Sequence, residues 1–167
     1  MNITVVSIPR VRTAARNVAR MSFSYEVTAR TSARPERLFE LISDAPGWPL
    51  WAGPLIGHGS WEREGTPPPG GVGAIRKIGR WPQYGREEIV RHDPPGHHAY
   101  TIVGGQPVRN YRADVYFRND GDGTLITWTA TFEPVIPGTG PALAAVYPRL
   151  IGGVARRLAA YAEKHPN

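Results

Sequence analysis

Residues 23–31 alternate strictly. Phe23, Tyr25, Val27 and Ala29 share one face and Ser24, Glu26, Thr28 and Arg30 the other, the period-two pattern of a half-buried strand. Ser32 or Ala33 leads into Pro35, a helix-start signal, and Leu38, Phe39, Leu41 and Ile42 give the short helix an apolar stripe. Asp44-Ala45-Pro46-Gly47 ends it, because Pro46 drives Ala45 out of the helical region. Trp48-Pro49-Leu50-Trp51 predicts a second helical turn. Further strands are predicted over 56–65, 73–81, 86–92 and 98–104, separated by Pro/Gly-rich turns such as Asp93-Pro94-Pro95-Gly96.

Next comes a hairpin. Tyr111, Ala113, Val115 and Phe117 form one apolar phase; Ile126, Trp128, Ala130 and Phe132 form the next, across the Asp/Gly-rich loop 119–123. Leu143, Tyr147, Leu150, Val154, Leu158 and Tyr161 then recur at helical spacing, predicting one long amphipathic helix. Gly152-Gly153 within it costs about 1 kcal/mol per residue against alanine, which points to a bend or a close approach. The order is therefore strand, two short helices, six strands, long helix. This is an α+β architecture in which about seven antiparallel strands curl around the last helix. A curled sheet gripping one helix leaves a gap unless large side chains fill it.

The totals narrow the classes. The chain has 167 residues, one domain's worth, 41% hydrophobic and 20% charged. No apolar run is long enough for a transmembrane helix, so no stable membrane insertion is expected. The absence of cysteine rules out disulfides, thiolate metal sites and a thiol nucleophile, and it fits a reducing cytoplasm. The net charge of +6 is concentrated in residues 1–20, which carry Arg10, Arg12, Arg16 and Arg20 and no acid. Residues 21–167 hold sixteen basic and fourteen acidic side chains, so their surface does not imply nucleic-acid binding. Residues 1–20 are expected to be a disordered arm preceding the true start at Met21; the alternative is an arm that touches nucleic acid or anionic lipid. Residues 21–167 are expected to be the ligand-binding domain.

On five segments the chain resembles the START/Bet v 1-like (SRPBCC) superfamily, in its polyketide cyclase/dehydrase and lipid-transport branch. They are the 34–41 segment Arg-Pro-Glu-Arg-Leu-Phe-Glu-Leu, the 48–51 Trp turn, Gly71-Val72-Gly73, the Asp93-Pro94-Pro95 turn before Tyr100, and the 123–128 stretch ending in Trp128. The match runs over about residues 22–164. The resemblance implies a helix-grip fold with an internal cavity for hydrophobic ligands, in a family of binders, transporters and cyclases. For its aromatase/cyclase members it implies a tyrosine soon after the Trp turn and an inward arginine on a central strand. Here the 51–55 stretch has no tyrosine, and Arg91 stands at the arginine position.

The candidate ligand-binding residues are Trp48, Trp51, Trp61, Arg76, Tyr100, Tyr111, Trp128 and Leu150. The tryptophans either wall a cavity or fill the core. One of Arg76 and Lys77 must face inward, paired with Glu62, Glu64 or Glu87, or holding a ligand's carboxylate or carbonyl. His58, His92, His97 and His98 are expected at the surface, with His97 and His98 on opposite faces.

Neither a dinucleotide loop, a calcium loop, a nucleophile elbow nor a zinc helix occurs, so no metal or cofactor is expected. The expected function is binding or transport of a lipid or polyketide-like molecule. A cyclase/dehydratase is the alternative, with Arg91 or Arg76 stabilising an enolate and His58, Tyr84 or Tyr111 moving protons. A protein-interaction module is the second.

Overall fold

The computed structural model describes residues 21–166. Strand β1 (Phe23–Thr31) is followed by helix α1 (Pro35–Ser43), a 3-10 turn (Ala45–Gly47) and the one-turn helix α2 (Trp48–Trp51). Strands β2 (His58–Arg63), β3 (Ile75–Arg80), β4 (Gln83–Asp93), β5 (His97–Gly104), β6 (Val108–Asp120) and β7 (Gly123–Pro134) follow, then helix α3 (Gly140–Lys164). The strands form one curved antiparallel sheet in the order β1-β7-β6-β5-β4-β3-β2. This is the helix-grip arrangement the pattern predicts. The basic arm expected at residues 1–20 lies outside the described residues.

Alternation sets the register. Ala113 faces Ala130, Val115 faces Trp128 and Phe117 faces Ile126, so both predicted apolar phases of the hairpin point to one buried face. Helix α3 closes on that face at its C-terminal end, where Ala155, Leu158, Ala159 and Ala162 are fully buried. Small side chains let the backbones approach there. At the other end Tyr147, Ile151 and Val154 are only partly buried, and the helix stands off the sheet. Gly152 lies over β1, but a Cβ there would meet Val27 at 3.8 Å, an ordinary contact. The close approach is real, yet alanine would also fit.

Bulges break the alternation twice with consequences. On β6 the register slips between Arg109 and Arg112, and Asn110 takes φ 51°. The extra residue restores Tyr111 to the inward face after inward Val108. On β4 the register slips between Ile89 and Arg91. Glu87 and Ile89 point inward, and the slip hands the next inward position to His92, whose ring meets Phe39 at 4.9 Å. Arg91 is thereby turned out, 54% exposed and bound to Asp93. The expectation of an inward Arg91 is overturned by that one extra residue.

The inward arginine is Arg76, with no solvent exposure. Its Nε donates to Glu87 at 2.8 Å and its Nη1 to the Ile42 carbonyl at 2.9 Å. Its guanidinium lies 4.3 Å from the Trp48 ring centroid and 4.9 Å from that of Tyr100. Of the expected partners it takes Glu87. His98 corrects the surface expectation: it is fully buried, in the inward phase of β5, with its ring edge-on to Phe39 at 5.9 Å. His97 points the other way, to Asp114 at 2.8 Å.

Three outcomes follow. Asn110→Val should lower stability by about 1–2 kcal/mol in urea titration, because a β-branched residue resists positive φ, whereas Asn110→Gly should stay within a few tenths. Arg76→Met, which strands Glu87 without its partner, should cost about 3–5 kcal/mol in the same assay. Burial, with the charges of Arg76, His92 and His97 nearby, holds the His98 imidazole well below its ordinary range, so it folds neutral. The unfolded chain takes up that proton near pH 6.5, so stability should fall as pH drops from 7 to 5, by up to about 1.4 kcal/mol per pH unit for one proton. His92, also lowered by burial, adds to the slope. His98→Phe should flatten it, and an unchanged slope would refute the neutral buried imidazole.

Candidate functional site

Where α3 stands off the sheet, a cavity of ≈ 650 Å³ opens. Its deep wall is aromatic: Trp48 from α2, Tyr100 from β5, Tyr111 from β6 and Trp128 from β7, all buried. Tyr147, Ile151 and Val154 of α3 form the opposite wall. The mouth lies between the loop after α2, the β3–β4 turn and α3, where Leu55 is 64% exposed and Trp81 79%.

The polar atoms at the deep end are few. The Tyr25 and Tyr111 hydroxyls share a hydrogen bond of 2.7 Å. The Tyr147 hydroxyl is buried without a hydrogen-bond partner among the described residues, while the Trp128 indole N–H is directed at the Tyr100 hydroxyl. Glu87 contributes a carboxylate to the wall, already held by Arg76. Burial raises the phenols of Tyr25, Tyr100 and Tyr111 well above their ordinary range. At neutral pH they are uncharged hydrogen-bonding groups.

Five of the ten sequence candidates meet in the cavity wall: Trp48, Tyr100, Tyr111, Trp128 and Leu150. Leu150 sits near the mouth, 41% exposed. Arg76 stands behind the wall, touching its members Trp48, Tyr100 and Glu87. Trp51 is buried outside the cavity, its ring 4.7 Å from that of Trp48. Trp61 packs half-buried beside Gly70, also outside it. His58 is exposed, bonded to Ser60 at 3.0 Å with its ring 5.7 Å from that of Tyr84, and Arg91 faces solvent. Neither Arg91 nor His58 reaches the cavity, whereas Tyr111, the third proton-moving candidate, stands in its wall.

Sequence reasoning did not assign Tyr147 or Glu87 to the site. Tyr147 was legible, since it falls in the apolar stripe of α3. Glu87 was not, because its direction depends on which residue of the β3–β4 pair carries the buried charge.

Comparison with known proteins agrees with this geometry. The START superfamily protein from Mycobacterium smegmatis superposes with a TM-score of 0.72 at 15% identity, over 84% of this chain and 97% of that one. Norcoclaurine synthase from Thalictrum flavum, solved in complex with dopamine and hydroxybenzaldehyde, gives 0.70 at 12%, over 96% and 99%. Ara h 8.0201 gives 0.69 at 18%, over 87% and 100%. At these identities the likeness is one of fold. No curated protein sequence matches the chain. Residues 22–163 match the model of the polyketide cyclase / dehydrase and lipid transport family, and the chain belongs to that family.

Proposed function

We propose that this protein binds and carries a hydrophobic small molecule, lipid or polyketide-like, in the cavity under α3. The observation that carries the reading is the pairing of an apolar, aromatic wall with a buried hydroxyl, that of Tyr147, which meets no partner among the described residues. Buried donors are ordinarily satisfied. A ligand's carbonyl or hydroxyl oxygen would satisfy this one, while the ligand's body displaces water from the rings. The cavity has the volume of an ordinary small-molecule site, about 300–1,000 Å³. Burying apolar surface contributes about 25 cal/mol per Å², so shape supplies most of the affinity.

Carriage is favoured over cyclisation by what surrounds the ligand. Arg91 and His58 lie outside the cavity, Glu87 is neutralised by Arg76, and Arg76 itself stands behind the wall. No helix among the described residues is long and apolar enough to cross a membrane. A cytoplasmic setting accords with the cysteine-free sequence.

Nile red, an uncharged dye, should bind the purified protein at about one per chain with a blue-shifted emission. Ile151→Trp, which fills the cavity from the helix side, should weaken that binding about tenfold or more. Native mass spectrometry of protein incubated with a lipid extract should show a bound species that the variant lacks. A protein that takes up neither dye nor lipid, or a variant that binds as well as the parent, would end this reading.

A further inference from the structure

Four arginines line the cavity and stand at its mouth: Arg80 at the end of β3, and Arg149, Arg156 and Arg157 on α3. All four are exposed, and none meets a carboxylate among the described residues. Most exposed arginines elsewhere on the described surface behave differently; the exceptions are Arg34 and Arg118, the latter lying over the Tyr116 ring. Arg30, Arg63, Arg86, Arg91, Arg109 and Arg112 each hold an acid within 2.5–3.1 Å. Among the described residues Glu87 is the one acid in the cavity wall, and Arg76 neutralises it from behind. The mouth is thus a local excess of positive charge on a described surface where most other arginines hold an acid.

The backbone makes room for this cluster. The position a Cβ would take at Gly153 is 3.1 Å from Arg157 Nη1 and 4.0 Å from Arg156 Nη2. Across the mouth, the corresponding position at Gly53, which has φ +100°, is 2.7 Å from Arg157 Nε. Arg157 therefore lies across two glycines on facing elements. Arg80 is fixed on the same side by donating from Nε to the Pro54 carbonyl at 2.8 Å. A helical glycine costs about 1 kcal/mol against alanine. Gly152 could be alanine without a clash, whereas an alanine at Gly153 would push the Arg157 guanidinium by a few tenths of an ångström.

Like charges gathered at the rim of a low-dielectric cleft repel one another and focus a positive potential there. The guanidinium fork suits a carboxylate or phosphate. Building on the binding reading above, we propose that the natural ligand is an anionic amphiphile. Its apolar body lies along Trp128, Tyr111 and Ile151, and its acidic head, a carboxylate or a phosphate, sits at the mouth among Arg80, Arg149, Arg156 and Arg157.

The test compares one chain length with three heads: dodecanoate, dodecyl phosphate and 1-dodecanol, titrated calorimetrically below their micelle concentrations. At least one anion should bind about tenfold or more tightly than the alcohol, and which one does so tells carboxylate from phosphate. The preference should shrink severalfold in Arg156→Gln/Arg157→Gln and in about 0.5 M NaCl, and persist in Arg63→Gln/Arg112→Gln, which removes equal charge far from the mouth. Circular dichroism checks that both variants are folded. Equal binding of anions and alcohol would overturn the anionic head while leaving an apolar binding site standing. Failure of every dodecyl probe to bind would overturn both. Arginine-dependent sedimentation with phosphatidylglycerol vesicles, without any head preference in solution, would assign the arginines to a membrane surface and also overturn the proposal.

Discussion

A buried cation organises this molecule. Arg76 is removed from water, and a guanidinium in that position persists only with charge and hydrogen-bond compensation close by. The compensation comes from four different elements: the Glu87 carboxylate on β4, the Ile42 carbonyl in α1, the Trp48 face on α2 and the Tyr100 face on β5. Trp48 in turn donates its own Nε1 to the Ile42 carbonyl at 3.0 Å. One side chain thereby ties the two short helices to the middle of the sheet. It also fixes two of the rings and the carboxylate that face the cavity. The site is rigid on this side because its wall is also the lining of a desolvated ion pair.

The opposite wall is held by different means. Helix α3 is anchored where alanines let it touch the sheet, and it carries Tyr147, Ile151 and Val154 out over the opening. Pro148 sits inside this helix and supplies no N–H to the preceding turn. The helix thus has a tightly packed C-terminal half and a less constrained half that roofs the cavity. Tight packing and hollow space come from the same helix through the sizes of its side chains.

The fold was largely legible in the sequence because its strands obey period two and its last helix obeys period 3.6. Both apolar phases of the hairpin were assigned to the buried face. In the helical stripe Leu158 is buried and Tyr147 and Val154 are half-buried, but Leu150 is exposed and the tight contact falls on Ala155, Ala159 and Ala162. What escaped was local and geometric. A single extra residue on β4 exchanged Arg91 for His92, and no composition signal marks where a ladder will slip. His98 was expected outside because histidine is usually solvated, but its phase on β5 and the Phe39 ring decided otherwise. The tryptophans divided as only coordinates could divide them, with Trp48 and Trp128 at the cavity and Trp51 and Trp61 in ordinary packing. The arginines of α3 could have been noticed, since Arg149, Arg156 and Arg157 share the helix with a lone acid, Glu163. Their convergence with Arg80 needed the fold.

The distribution of indoles has an optical consequence. Trp48 and Trp128 look into the cavity from dry surroundings, while Trp81 stands at its rim almost wholly in water. These chromophores start from opposite polarities. A molecule entering the cavity would quench or shift the two inner ones and desolvate the outer one, so occupancy and rim contact would leave separate spectral traces. The chain carries its own reporter for filling, with no label attached.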